Sequence, residues 1–220
     1  MIRPDVVFFD MDHTILGIDA SVLWKKYLCD LGLAPADDRE RVDYYLKLYH
    51  QGRTPVEEFV KFQYREFIGR TVEEMRAMTH QYFEEHVRSF IFPDAQAVID
   101  DSEAHDIPTV LLTGTNRYIA EPIVEAMRIT TLLPTEPEIV DGKFTGGYIK
   151  PFLIKQAKLQ KAREHCHALQ TSMERAAFFA DSINDLEMLE SVGYPVAVNP
   201  HENLLKEAQV RGWPVEHWSL

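Results

Sequence analysis

The run Val6-Val7-Phe8-Phe9, which ends in Asp10-Met11-Asp12-His13-Thr14, constrains this chain more than any other feature. Four consecutive β-branched and aromatic residues leave no polar face, which suits a strand buried on both sides of a parallel sheet. Two later segments have the same form. Thr109-Val110-Leu111-Leu112 passes into Thr113-Gly114-Thr115-Asn116, and Ala176-Ala177-Phe178-Phe179-Ala180 passes into Asp181-Ser182-Ile183-Asn184-Asp185. Parallel strands end along one edge of their sheet, so three polar clusters far apart in sequence are expected to converge there.

Between the first strand and the second the pattern changes. From about Ala20 to Arg88 the chain is rich in Leu, Tyr, Phe, Glu, Lys and Arg without β-type alternation, and breaks fall near Pro35, Gly52-Arg53-Thr54-Pro55 and Gly69-Arg70-Thr71. Three or four amphipathic helices follow from that pattern. Thr54 with Glu57, and Thr71 with Glu74, have the spacing of capping boxes. After Phe92-Pro93 strands and helices alternate again: helix over about 94–105, strand 109–112, helix to about Met127, then Asp141-Gly142 as a hairpin turn. A helix over about 151–167, strand 176–180, a last strand over 194–198 and a helix near 202–210 complete the order. Gly146-Gly147 reads as a turn. Trp24, Tyr27, Tyr44, Tyr45, Phe59, Phe62 and Phe67 read as core of the helical segment rather than a substrate cage.

Composition narrows the function classes. At 220 residues, 45% hydrophobic and 26% charged, the chain suits a globular core domain with a smaller companion. Its 35 acidic and 23 basic residues give a formal charge of -12, and no Lys/Arg-rich run could track a phosphate backbone, so no nucleic-acid partner is expected. Nowhere do about 18 uninterrupted apolar residues occur, and Asp5 and Asp10 interrupt any signal-peptide core; no membrane association is expected. Cys29 and Cys166 show no zinc-type spacing and read as free thiols of a reducing, cytoplasmic setting. Oligomeric state is left open.

The carboxylates Asp10, Asp12, Asp181 and Asp185, gathered at one edge, repel one another unless a hard cation sits among them. Magnesium suits such oxygen donors better than zinc does. Asp10 and Asp12 emerge on the same side of an extended segment, so that one can attack an electrophile while the other handles the leaving group's proton. The Thr113 hydroxyl, the amides opening the next helix and a lysine would serve phosphate oxygens.

Asp10-Met11-Asp12-His13-Thr14, Thr113, a following lysine and Asp181-Ser182-Ile183-Asn184-Asp185 resemble, in order, the four motifs of haloacid dehalogenase-like phosphatases. The helical insertion after the first motif is similar to that of the phosphoserine-phosphatase-like branch. The resemblance implies an α/β fold with a doubly wound, Rossmann-like parallel-sheet core over residues 1–16 and 90–220 and a helical cap over 17–89. It implies that Asp10 forms an aspartyl-phosphate, that Asp12 is the general acid and then base, and that Thr113 holds a phosphate oxygen. It further implies Mg2+ bound by Asp10, the Asp12 carbonyl, Asp181 and Asp185. For the phosphate-binding lysine, Lys150, Lys155 and Lys158 all lie in the expected stretch. Lys155, which begins a Lys-x-x-x-Leu pattern, fits best and Lys150 second. His13 stands where many relatives carry Gly or Ser.

The expected partner is a small phosphorylated metabolite, phosphoserine or histidinol phosphate being the candidates. Asp19 stands where relatives place an acidic substrate-reading residue, and it is equally a helix N-cap. Gly114 and Asn116 are further substrate-side candidates, and Arg65 is near in pattern to a carboxylate-gripping arginine. Two other readings are a phosphotransferase or mutase of the same chemistry, and a non-enzymatic phospho-binding module.

Overall fold

The computed structural model describes residues 3–51 and 53–220. Gly52, part of the break predicted before Pro55, lies outside the described residues. The central strand β1 (Val6–Phe9) is flanked on one side by β2 (Thr109–Asn116), β3 (Thr131–Val140) and β4 (Lys143–Ile149). On the other side lie β5 (Ala176–Ala180), β6 (Tyr194–Val198) and β7 (Val215–Glu216). Paired strands run parallel throughout, except that β3 and β4 are antiparallel.

Alternate residues of β1 serve opposite faces, as strand geometry requires. Val7 and Phe9 join one apolar cluster with Leu111, Ile119 and Ile123, whereas Val6 and Phe8 join the other with Val110, Leu112 and Phe178. Helices cover both faces: α5 (Pro93–Glu103) and α6 (Arg117–Met127) on the first, α7 (Gln156–Ala168), α8 (Leu186–Ser191) and α9 (Glu202–Arg211) on the second. The fold is therefore a doubly wound α/β sheet, and the fully apolar first run is explained by burial on two sides.

Between β1 and α5 come α1 (Ala20–Asp30), α2 (Asp38–His50), α3 (Val56–Gln63) and α4 (Val72–Tyr82). A small cluster of Val22, Val42, Tyr45 and Phe62 holds α1, α2 and α3 together. The two connections to the sheet run side by side: the Gly17 amide donates to the Phe90 carbonyl at 2.8 Å, and the Phe92 amide to the Ile15 carbonyl at 3.1 Å. A second seam joins the inserted helices to β4, where the Gly69 amide donates to the Phe144 carbonyl (2.9 Å) and the Phe144 amide to the Arg70 carbonyl (3.0 Å).

Local chemistry explains several boundaries. At α4 both halves of the predicted capping box form, Glu74 N–H to Thr71 Oγ1 at 3.2 Å and Thr71 N–H to Glu74 Oε2 at 2.7 Å. The box predicted from Thr54 does not form, because Pro55 itself takes the position before α3 and shifts Glu57 out of register. Asp141 (φ 50°) and Gly142 (φ 74°) make the hairpin turn, both in the left-handed region that such a two-residue turn demands. Gly146 and Gly147 are not a turn. They lie within β4, and Ile68 packs so close to Gly146 that a Cβ there would meet its side chain at 2.6 Å. Helix α7 begins five residues later than predicted, since the Leu153 amide is bound by Thr135 Oγ1 (3.1 Å) and Lys155 has φ +49°. The short strand β7 follows β6, which the sequence pattern took as the last; two residues are too few to show alternation.

Candidate active site

Two residues past β1, at Met11, the chain turns tightly, the amides of Thr14, Ile15 and Leu16 all reaching the Met11 carbonyl. His13 adopts φ +58° within this turn. That left-handed conformation costs a side-chain-bearing residue about 1 kcal/mol or more and glycine little.

The turn places Asp10 and Asp12 beside a cleft enclosing about 910 Å3 out to its open mouth. Thr113, Gly114 and Asn116 at the end of β2 and Asp181 at the end of β5 border the same cleft, so the three predicted clusters do converge. Asp19 borders it from the start of α1, where its Oδ1 accepts from the Val22 amide (2.8 Å) and the Ser21 hydroxyl (2.9 Å). It is thus both helix cap and cleft residue. Asn116 caps α6 through the Tyr118 and Ile119 amides. Gly114 permits a close approach, since a Cβ there would lie 3.2 Å from the Leu153 carbonyl.

Asp12 is held at both oxygens, Oδ1 by the Ala20 amide (2.7 Å) and Oδ2 by the Thr115 hydroxyl (3.1 Å). It keeps some surface open to the cleft while lying deep in the protein. Burial, then the negative charges of Asp19 and Asp10, hold its carboxyl well above the usual carboxylate range. Burial of this kind favours the protonated form of a carboxyl. Thr113 Oγ1 accepts from the Thr115 amide at 3.1 Å, which leaves the hydroxyl proton for another acceptor.

The lysine at this site is Lys158, not the expected Lys155. Its Nζ lies 2.7 Å from Asp10 Oδ1 and 2.8 Å from Asp185 Oδ1. Burial opposes its charge, yet Asp10 and Asp185 raise it above the ordinary lysine value, so it stays an ammonium. Lys155 precedes the first turn of α7 and is exposed. Lys158 shares a buried face with Ala162 and Cys166 at intervals of four, a helical spacing that identifies it once the helix is known. Arg65 is likewise elsewhere: its guanidinium pairs with Asp38 and with Glu66 (2.6 Å), two buried carboxylates that need a counter-charge.

Asp185 lies buried beneath Lys158, and burial against the opposing pull of Lys158 leaves its carboxyl raised to about 6. Burial, then Asp10 and Asp185, hold Asp181 well above the usual range. Three carboxylates thus share one ammonium, and the cluster is short of positive charge. Among the described residues no three His, Cys, Asp or Glu side chains stand at metal-holding spacing, Lys158 bridging two of the acids. The donor set nevertheless fits a hard cation, being oxygen throughout and in anionic excess.

Several residues that border the site carried no motif. Tyr49, at the end of α2, enters above the acids; burial and then Asp185, Asp10, Asp181 and Asp12 push its phenol up. The Asn184 side-chain amide donates to the Tyr49 carbonyl at 2.9 Å, tying the inserted helices to the sheet. His13, His50 and His201 gather at one side, the last two with ring centres 4.6 Å apart. Trp24, Tyr45 and Phe59, expected to serve only as core, line the cleft as well.

Residues 7–190 match the family model of haloacid dehalogenase-like hydrolases. A histidinol-phosphatase of Neisseria meningitidis serogroup C is 30% identical over 217 residues, covering 96% of this chain and 97% of that protein. Among solved structures, a protein of unknown function from Bordetella pertussis superposes with a TM-score of 0.88 at 28% identity, over 98% of this chain and 99% of its own. A substrate-bound phosphoserine phosphatase gives 0.71 at 14% identity, over 97% and 92%, a likeness of fold. The chain belongs to the haloacid dehalogenase-like hydrolase family. Within it, the relatives make this chain a phosphatase. No helix among the described residues is long and apolar enough to cross a membrane.

Proposed function

We propose that this phosphatase is a magnesium-dependent phosphomonoesterase acting on a small amino-alcohol phosphate, histidinol phosphate above all, through a phosphorylated Asp10. One observation carries the reaction: Asp10 borders the cleft with the Lys158 ammonium 2.7 Å from it and Asp12 two residues on. The Asp10 carboxylate attacks phosphorus, and the bond from phosphorus to the alcohol oxygen breaks. Asp12, its proton retained by burial, passes that proton to the departing oxygen. The resulting Asp12 carboxylate then takes a proton from water as the water attacks phosphorus and releases Asp10 and inorganic phosphate. Thr113 donates to a phosphate oxygen, and Lys158 orients Asp10 while balancing its charge. Asp10, Asp181, Asp185 and the Asp12 carbonyl would hold magnesium, which when bound supplies positive charge to the phosphoryl oxygens. The inserted helices serve as a cap that limits water.

The substrate class follows from charge. Among the described residues no Lys or Arg lines the cleft, while Asp19 does. A leaving group with a carboxylate would meet anions without a counter-ion; one with an ammonium would meet Asp19. Phosphoserine carries both, histidinol phosphate only the amine. Purified protein with magnesium, assayed against histidinol phosphate, phosphoserine and a sugar phosphate, should give the highest kcat/KM for histidinol phosphate. A preference for phosphoserine or the sugar phosphate would reject this substrate class.

A further inference from the structure

Tyr49 belongs to the last turn of α2, yet it borders the same cleft as Asp10, Asp12, Thr113 and Asp181. Two observations place its ring. The Asn184 side-chain amide donates to the Tyr49 carbonyl at 2.9 Å, which seats this turn of α2 over the segment carrying Asp181 and Asp185. The phenol also feels the charge of all four acids, Asp185 and Asp10 most strongly, an influence that fades with distance. The residue is only partly buried, and its ring meets that of His50 with centres 5.8 Å apart. Its hydroxyl makes no hydrogen bond to any described residue, so that donor is left for whatever occupies the cleft.

A hydroxyl in this place has a use that a bare ring lacks. Excluding water needs only the ring, and a hydroxyl taken out of water without a partner costs about 1–3 kcal/mol. A phosphoryl group in transfer spreads its negative charge over three equatorial oxygens. In the reading proposed above, Thr113 serves one and magnesium another, both from the sheet side. Lys158 is not among the residues bordering the cleft, and its bonds to Asp10 and Asp185 hold it back. A donor from above the acids completes the set. A phenol suits that position: it keeps its proton at neutral pH, the surrounding acids favour its O–H form further, and it brings no charge of its own.

We infer that Tyr49 is a catalytic residue supplied by the cap, its hydroxyl donating a hydrogen bond to a non-bridging oxygen of the phosphoryl group as that group passes to and from Asp10. This rests on the reading of the cleft as a phosphomonoesterase site. No bond to Tyr49 forms or breaks. The phenol keeps its proton throughout, and Asp12 remains the acid and the base. Because the donor belongs to α2 and not to the sheet, the contacts to phosphate are complete only while the inserted helices lie over Asp10.

Tyr49→Phe removes the hydroxyl and keeps the ring. Wild type and variant are compared, with magnesium, on p-nitrophenyl phosphate and on whichever alkyl phosphate the wild type hydrolyses fastest. The variant's kcat/KM is expected to fall by about ten- to hundredfold on both alike, the range for one hydrogen bond to a charged group, because the phosphoryl group is common to both. Orthovanadate, which stands in for the five-coordinate phosphoryl group, should inhibit the variant at least about tenfold less tightly. That constant does not depend on the fraction of protein folded. The rise in melting temperature with magnesium should match that of wild type. Undiminished kcat/KM or undiminished vanadate affinity in Tyr49→Phe overturns the inference and leaves the phosphatase reading standing. So does a loss confined to one substrate, which would assign the hydroxyl to the leaving group, or a lost magnesium response, which would assign it to the metal. Wild-type protein inert toward every phosphomonoester removes the phosphatase reading and this inference with it.

Discussion

The Lys158 ammonium lies 2.7 Å from the Asp10 carboxylate although 148 residues separate them in sequence. It also reaches Asp185 at 2.8 Å, so one cation from α7 joins the end of β1 to the segment after β5. Removing one member of such a buried group leaves the others without compensation. Lys158→Met should therefore destabilise the protein by about 3–5 kcal/mol and remove phosphatase activity, whereas exposed Lys155→Gln should retain both. Urea unfolding and turnover of p-nitrophenyl phosphate measure the two effects. A stable, active Lys158→Met protein would contradict the assignment.

Asp12 holds its proton because it is buried beside Asp10 and Asp19. If that proton goes to the leaving oxygen, Asp12→Asn must hurt poor leaving groups most. The expected loss in kcat is on the order of 10²–10⁴-fold for an alkyl phosphate, and clearly smaller for p-nitrophenyl phosphate in the phosphorylation step, read by single-turnover kinetics. Equal loss in that step for both would argue that Asp12 only positions other groups.

Magnesium offers a readout independent of turnover. At a hundred times its Kd a bound ion stabilises the folded state by about 2.7 kcal/mol, so wild-type melting temperature should rise with magnesium and fall back on adding EDTA. In Asp181→Asn the response should vanish. Its metal-free melting temperature should also match or exceed that of wild type, because one of three mutually repelling carboxylates has been neutralised. A magnesium shift surviving in Asp181→Asn would remove that residue from the ligand set.

Asp5, just before β1, is bound by Arg175 Nε at 2.5 Å and by the Thr171 hydroxyl at 2.6 Å, which lower its carboxyl from 3.8 to about 2. Because the folded value is the lower one, the unfolded chain binds the proton first on acidification. The contribution is complete above the unfolded value of 3.8 and disappears as pH falls through about 2. Between those values wild-type stability should decline more steeply than that of Asp5→Asn, as followed by circular dichroism. Parallel curves would show that the pair is screened by solvent.

The sheet centre and the acidic edge were legible because each rests on a local signal: four apolar residues in a row, then carboxylates at the strand's end. Lys158 was not. Choosing it over Lys155 required knowing where α7 starts, and that start is fixed by the tertiary bond from Leu153 to Thr135. Thr54 failed for a similar reason, since its one-residue offset from the helix start depends on Pro55 rather than on spacing. Gly146 sits within a strand paired with β3, and Ile68 from the inserted segment leaves no room beside it for a Cβ, a tertiary contact no local pattern announces. Arg65, by contrast, had a tempting position, but the buried acids Asp38 and Glu66 engage it.

The paired backbone bonds at Gly17–Phe90 and Ile15–Phe92 make the four inserted helices, from the sheet's standpoint, one long loop whose two feet are already clamped together. Lengthening such a loop adds little closure entropy, since that cost grows only with the logarithm of its length. A change in the insert's length would thus alter its closing cost only slightly, whereas exchanging it outright would also forfeit the bonds that join Gly69 and Arg70 to Phe144 and Tyr49 to Asn184.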